Sequence, residues 1–308
     1  MINYYCPDFY HAQQCYALLF ELQKKGKQCF FPNVNIKAIY GCFPGCIWNG
    51  GGFTFGNGAI DYCVMHDYFK WYADKGVIIQ LTFTNPTLEQ TDIYDRYGNA
   101  ILEAASHYDN IEILVVSPFL EKYIREKYPH MKIDKSIIAT TKERESETDN
   151  LDGYIKTLDN YNRCVLPRKY SKDREFLQTI PKDYRDKFEI LATDPCPTYC
   201  PHLYTHYEEL GRVQSYQALN ENVTGCHMIS GDNPFRQWMY RGHQISYDEL
   251  NEFYDEEGFS EIKLSGRGHY LFAMLQLVPY MIKPEYHKDV YAYLLNYYIS
   301  VPVPPLFE

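Results

Sequence analysis

The chain has 308 residues, of which 45% are hydrophobic and 23% charged, and its formal net charge is −10. This length suits one large domain or two ordinary ones, and the composition excludes a disordered or fibrous chain. The negative balance, with no basic run interleaved with aromatics, disfavours RNA or DNA as a partner and leaves a small molecule or peptide, or a second protein, in front.

The N-terminus MINYYCPDFYHAQQC has polar residues where a leader peptide needs an apolar run, and no apolar stretch approaches the ~20 residues that span a bilayer. A cytoplasmic location is expected. Ten cysteines in 308 residues are too sparse for a disulfide scaffold; some are expected as buried thiols and a few as ligands. Tyrosine, at 31 residues, is expected mainly as core and rim packing, because it buries a ring and keeps a polar tip.

In chain order, short β-branched runs alternate with helical stretches. INYYC (2–6) precedes HAQQCYALLFELQKKG, which has helical spacing and ends at Gly26. NIKAIYG (35–41) precedes AIDYCVMHDYFKWYADKG, and VIIQLTFTN (77–85) precedes TDIYDRYGNAILEAASHY. IEILVVSP (111–118) precedes FLEKYIREKYP. KIDKSIIAT (132–140) is the fifth run, followed by a charged loop, TKERESETDN, and a short helix, LDGYIKTLDN. RCVLP (163–167) precedes SKDREFLQTI, with Ser171 as its N-cap. KFEILATD (187–194) leads into DPCPTYCPHLYTH and an insertion reaching Gln244. Ser246 and Glu249 predict a capping box for SYDELNEFYDEEG. SEIKLSG (260–266) precedes HYLFAMLQLVPYMI, and KPEYHKDVYAYLLNYYIS predicts one more helix.

Eight apolar strands alternating with helices predict an α/β fold with a parallel sheet covered on its outside, of the TIM-type (β/α)8 kind. No glycine-rich turn follows the first strand, as a dinucleotide-binding sheet would require. The barrel is expected over residues 1–283, with residues 284–308 as an additional C-terminal helix and tail packed on it.

In such a barrel chemistry sits at the C-terminal ends of the strands. There the sequence places Cys6, Cys42, Cys46, Thr84, Asn85, Ser117, Thr140, Thr141, Arg168, Asp194, Cys196, Cys200, Ser265 and Arg267. Soft thiolates suit iron–sulfur clusters or zinc. Cys196, Cys200, Cys226 and one of Cys46 or Cys42 form one candidate cluster set. Cys196, Cys200, His202 and His206 form a zinc alternative, the histidines sharing one face if a helix starts at Pro201. A loop with unligated thiols is the third reading, and the pattern leaves all three open. Cys15 and Cys63 read as core positions on helices, and Cys29 and Cys164 as core near strands. NGGGFTFGNG (49–58) reads as a lid over the barrel mouth, without the Lys-Ser/Thr of a P-loop. In KLSGRGH, Arg267 beside a glycine turn reads either as an anion fork or as a rim ion pair.

GFSEIKLSGRGHYLFAMLQLVPYMIKPEY resembles the end of the barrel in the collagenase-like peptidase family, where a Gly, an apolar strand and Lys-Ile-Glu-Gly-Arg precede a helix. RCVLPRKYSKDREFLQTI and KFEILATDPCPTYC resemble its preceding section, and AIYGCFPGC is similar to the second-strand region of the ubiquinone-biosynthesis members. The resemblance implies a barrel carrying a 4Fe–4S cluster and an oxygen-independent hydroxylation of an aromatic or of RNA bases. It implies Cys196, Cys200, Cys226 and Cys46 as cluster ligands and Arg267 as the family arginine. The family's Glu before Gly-Arg is Ser265 here. The expected activity is therefore modification, in the first place hydroxylation, of a small aromatic, nucleobase or peptide. Arg267 and Arg168 would hold an anionic part of the substrate, and Asn85, Thr84, Ser117 and Ser265 would line its site. A zinc-dependent hydrolase and a non-catalytic subunit stapled by a metal are the alternatives.

Overall fold

The computed structural model describes residues 1–52, 58–144, 146–216, 243–266 and 270–299. Eight parallel strands close on themselves. They are β1 (Ile2–Pro7), β2 (Val34–Gly41), β3 (Ile78–Phe83), β4 (Ile111–Val115), β5 (Lys132–Lys135), β6 (Cys164–Val165), β7 (Phe188–Leu191) and β10 (Glu261–Lys263), in the ring order β1-β10-β7-β6-β5-β4-β3-β2. This is the expected TIM-type (β/α)8 barrel. A two-stranded antiparallel patch, β8 (Thr193–Asp194) with β9 (His243–Gln244), sits above the end of β7.

Helices α1 (Gln13–Lys25), α2 (Tyr62–Ala73), α3 (Arg96–Ala105) and α4 (Pro118–Lys127) follow the first four strands. Their starts obey local chemistry: Asp61, Asp95 and Ser117 each accept a backbone N–H of the first turn, satisfying donors that no earlier turn can reach. The predicted capping box of Ser246 and Glu249 is present. Helix Tyr270–Met281 covers the outside of β1, and helix His287–Tyr298 packs on it, with Tyr270 donating its hydroxyl to Leu294 O at 3.0 Å.

Three local expectations need correction. The fifth strand stops at Lys135, because Ser136 accepts from Ala139 N and caps α5 (Ile137–Lys142). Thr140 and Thr141 are therefore helical, and Thr141 donates its hydroxyl back to Ile137 O. Ser171 closes α7 (Arg168–Ser171), and Asp173 caps α8 (Arg174–Thr179). Cys63 is exposed, whereas Cys15, Cys29 and Cys164 are buried as expected.

The barrel interior is polar, which continuous apolar strands do not suggest. Gln80 on β3 donates Nε2 to Asp134 on β5 (2.9 Å) and to Glu189 on β7 (2.7 Å). These strands are not neighbours in the ring, so the contacts cross the lumen. Lys263 on β10 donates to Glu189 Oε2 at 2.8 Å and to Gln80 Oε1 at 3.2 Å. Arg163 pairs with Glu112, and Asn162 donates to Asp134 Oδ1 at 3.0 Å. The residues forming this network are each strongly buried or bonded within it, as burial of polar groups requires.

Candidate functional site at the barrel mouth

Above this network, at the C-terminal ends of the strands, lies a cavity of about 620 Å³. Its floor is Tyr40, Thr82, Leu114 and Lys263, all from the C-terminal halves of their strands. Tyr40 and Leu114 pack with Val165 as a buried apolar layer. Tyr40 is held by donating its hydroxyl to Leu264 O at 2.6 Å, and Lys263 Nζ lies 4.5 Å from its ring centre. A lysine over an aromatic face keeps its charge partly compensated while it looks into apolar space.

The walls come from the segments that follow the strands. Gly51 and Gly52 lie after β2, and Ile137 and Ile138 open α5. Cys196 follows β8, and Tyr207 and Leu210 belong to α10 (Leu203–Tyr216). Phe272 reaches over from the helix after β10. The lining is mainly apolar with a few polar groups, the usual make-up of a small-molecule site.

α10 is clamped over the mouth by two polar anchors. Arg168, at the end of β6, donates Nη2 to Asp194 Oδ2 at 2.6 Å and to Tyr207 Oη at 2.7 Å. Burial alone would lower the Arg168 pKa, but Asp194 and Tyr207 outweigh it and hold the guanidinium charged. Burial pushes the Tyr207 phenol up to about 12, against the pull of Arg168. Asn85 donates Nδ2 to Ile47 O (2.8 Å), Gly211 O (3.0 Å) and Ser215 Oγ (2.9 Å), and its Oδ1 accepts from Thr87 N and Thr87 Oγ1.

The sequence-derived site residues divide accordingly. Thr84, Ser265, Cys196 and His206 line the cavity. Thr84 donates its hydroxyl to Gly50 O at 2.9 Å, and Ser265 sits 3.2 Å from the Thr193 hydroxyl. Arg168 and Asn85, expected to hold substrate, bind protein groups: Arg168 through Nη2, and Asn85 through Nδ2 and Oδ1. Ser117 is a helix cap whose Oγ faces Leu120 N. Arg267 and Cys226 lie outside the described residues.

Cys42 and Cys46 belong to the main core with Phe43 and Trp48, whereas Cys200 packs with Ile138, Leu203 and Tyr207 in a separate cluster with Cys196 at its edge. Among the described residues no three His, Cys, Asp or Glu side chains come together as a metal-holding group. That search covers Cys42, Cys46, Cys196, Cys200, His202 and His206, while Cys226 lies outside the described residues. α10 begins at Leu203, and His206 N donates to His202 O at 2.9 Å, so the two histidines sit one helical turn apart.

Sequence reasoning passed over Lys263, Glu189, Gln80 and Asp134. The signal was there: in IIQL, KIDK, FEIL and EIK a polar residue stands next to an apolar one, and alternation along a strand puts it on the face opposite the helices.

No family model matches the chain, and no curated protein matches it. A solved structure of a U32 peptidase superposes with a TM-score of 0.50 at 12% sequence identity, covering 85% of this chain and 91% of that one. The likeness is one of fold. Among the described residues no helix is long and apolar enough to cross a membrane.

Proposed function

We propose that the chain is a barrel enzyme that modifies a small, largely apolar, aromatic-sized substrate bound in the mouth cavity. The observation that carries this reading is the cavity itself: about 620 Å³ of mainly apolar space at the C-terminal face, with Lys263 among the residues of its floor. That volume falls within the range of ~300–1,000 Å³ usual for ligand sites. The mainly apolar walls strengthen polar contacts made inside. Lys263 meets the polar end of the substrate, and the hydroxyls of Thr84 and Ser265 line the same space. Tyr40, Tyr207 and Phe272 offer ring surface to a flat body.

Of the activities that the family resemblance implies, modification of a compact aromatic fits this space better than cleavage of an extended peptide. The collagenase-like resemblance and the fold shared with a U32 peptidase both support a barrel enzyme, and neither supplies a substrate. A 4Fe–4S cluster would supply electrons for oxygen-independent hydroxylation. The described residues do not fit one, since Cys196 and Cys200 lack a third ligand among them. No step is assigned to a cluster, nor to zinc.

Titration calorimetry with a panel of neutral monocyclic aromatics tests the reading. The expected result is binding to the wild type that Leu210→Trp, which fills the cavity, removes. Equal binding by both proteins, or none by either, overturns it. Iron, sulfide and zinc analysis of anaerobically purified protein, wild type against Cys196→Ala, decides the cofactor separately: a stoichiometric metal lost in the variant restores the ligand role of Cys196.

A further inference from the structure

The floor of the cavity contains a group whose chemistry its packing role does not exhaust. Lys263 ends β10, is 5% exposed, and still lines the cavity. Its Nζ lies 2.8 Å from Glu189 Oε2, the geometry of direct proton exchange between an ammonium and a carboxylate. Gln80 Oε1, at 3.2 Å, is its other partner, and the Tyr40 ring lies beneath. Leu114 and Leu191, with Thr82 and Ser265, line the same cavity as Lys263.

We infer that Lys263 is a carbonyl-capturing amine, forming a protonated imine with a small apolar aldehyde or ketone held in the mouth cavity, with Glu189 carrying the proton. This rests on the cavity being the substrate site and names the class of substrate it takes.

The charge balance beneath the cavity selects a neutral carbonyl over a carboxylate. Glu112, Asp134 and Glu189 face Arg163 and Lys263 across the lumen. Burial, then the neighbouring Glu112, raises the Asp134 pKa well above the ordinary carboxyl value. Arg163 pairs with Glu112 and Lys263 with Glu189, so each cation beneath the cavity already has a carboxylate partner. A bound carboxylate would add an uncompensated charge to a buried, water-poor site, which is costly. A carbonyl adds none, and the iminium keeps one positive charge opposite Glu189.

The step balances without a redox partner. Glu189 takes a proton from the ammonium and frees the nitrogen lone pair. The amine adds to the carbonyl carbon, and a nitrogen proton passes to the former carbonyl oxygen, giving a carbinolamine. The proton on Glu189 then goes to the hydroxyl, which leaves as water as the C=N bond forms. Ammonium and carbonyl give iminium and water, with one positive charge before and after.

The test uses the full chain, benzaldehyde as the carbonyl probe, and sodium borohydride to reduce any imine to a stable benzylamine, mapped by peptide mass spectrometry. Lys263 is expected to carry the benzyl group ahead of every other lysine by about tenfold or more, the advantage of a preformed, oriented site. Glu189→Gln should slow that labelling without moving it, and Lys263→Met should lose it. Benzyl groups only on exposed lysines of the wild type overturn the inference with no variant needed. Toluene, which lacks the carbonyl, separates the two claims. Toluene binding that Leu210→Trp removes, together with an unlabelled Lys263, sinks the imine and spares the cavity reading. Failure of both sinks both.

Discussion

Arg168 Nη2 lies 2.6 Å from Asp194 Oδ2 and 2.7 Å from the Tyr207 hydroxyl, so one guanidinium fastens the loop after β7 and helix α10 to the end of β6. The arginine that sequence reasoning offers as a substrate anchor is spent on shaping the wall of the site. Arg168→Met should cost on the order of 3–5 kcal/mol, because it leaves Asp194 charged and unpaired. Arg168→Met with Asp194→Asn should recover much of that loss, since no charge is then stranded. Urea unfolding of the wild type, the single variant and the double variant checks the sign: a single variant as stable as the wild type removes the clamp.

Asn85 makes the second clamp, and its fit depends on a glycine. A Cβ on Gly211 would stand 2.3 Å from Asn85 Oδ1, closer than any contact allows. Gly211→Ala must therefore push α10 away from the loop after β3. Asn85→Asp keeps the shape but turns acceptor oxygens toward the carbonyls of Ile47 and Gly211. Each change should destabilise by roughly 1–3 kcal/mol, the cost of orphaned buried polar groups. Both should also weaken aromatic binding in the cavity, because Tyr207 and Leu210 ride on the displaced helix. Denaturation midpoints read the first effect and calorimetry the second.

His243 sets an acid limit on stability. Burial lowers its pKa from the ordinary 6.5 to about 4, against the raising effect of its bond to Leu191 O at 2.8 Å. Between those values the unfolded chain binds a proton that the folded chain refuses, so stability falls as pH drops below 6.5. The contribution is present in full above that range. From pH 7 to pH 5 the loss should be about 2 kcal/mol. His243→Gln, which has no proton to take up, should show a flatter fall over the same window in urea titrations. Parallel slopes for both proteins would refute the assignment.

Asp134 acts in the opposite direction. Burial, with Glu112 adding to it, raises its pKa, so the folded state holds a proton that the unfolded state releases above the ordinary carboxyl value of 3.8. Its contribution therefore favours folding less as pH rises from there toward the folded pKa. Asp134→Asn has nothing to release. Its stability relative to wild type should improve by on the order of 1 kcal/mol per pH unit as pH rises from the ordinary carboxyl value toward the folded pKa. A constant difference across that range would mean that Asp134 is ionised in the folded protein.

Much of the architecture was legible in the chain because its signals are local. The runs NIKAIYG, VIIQLTFTN and IEILVVSP become β2, β3 and β4, and Ser246 with Glu249 makes the predicted cap. Errors arose where two local signals compete within one run. In KIDKSIIAT the β-branched residues speak for a strand throughout, but Ser136 caps a helix in its middle.

The sequence by itself determined that strands and helices alternate and that the chain closes as a barrel, since periodicity and caps act between residues a few positions apart. Only the tertiary structure decided which polar residues share a space. Gln80, Asp134, Glu189 and Lys263 meet across the lumen from four strands, and Arg168 finds Asp194 and Tyr207. A side chain's partner depends on where distant strands fall around the ring, and no spacing along one strand records that. The paired cysteines of residues 196–200 show the same limit: closeness in sequence places Cys196 at the cavity wall and Cys200 in an apolar cluster beside it.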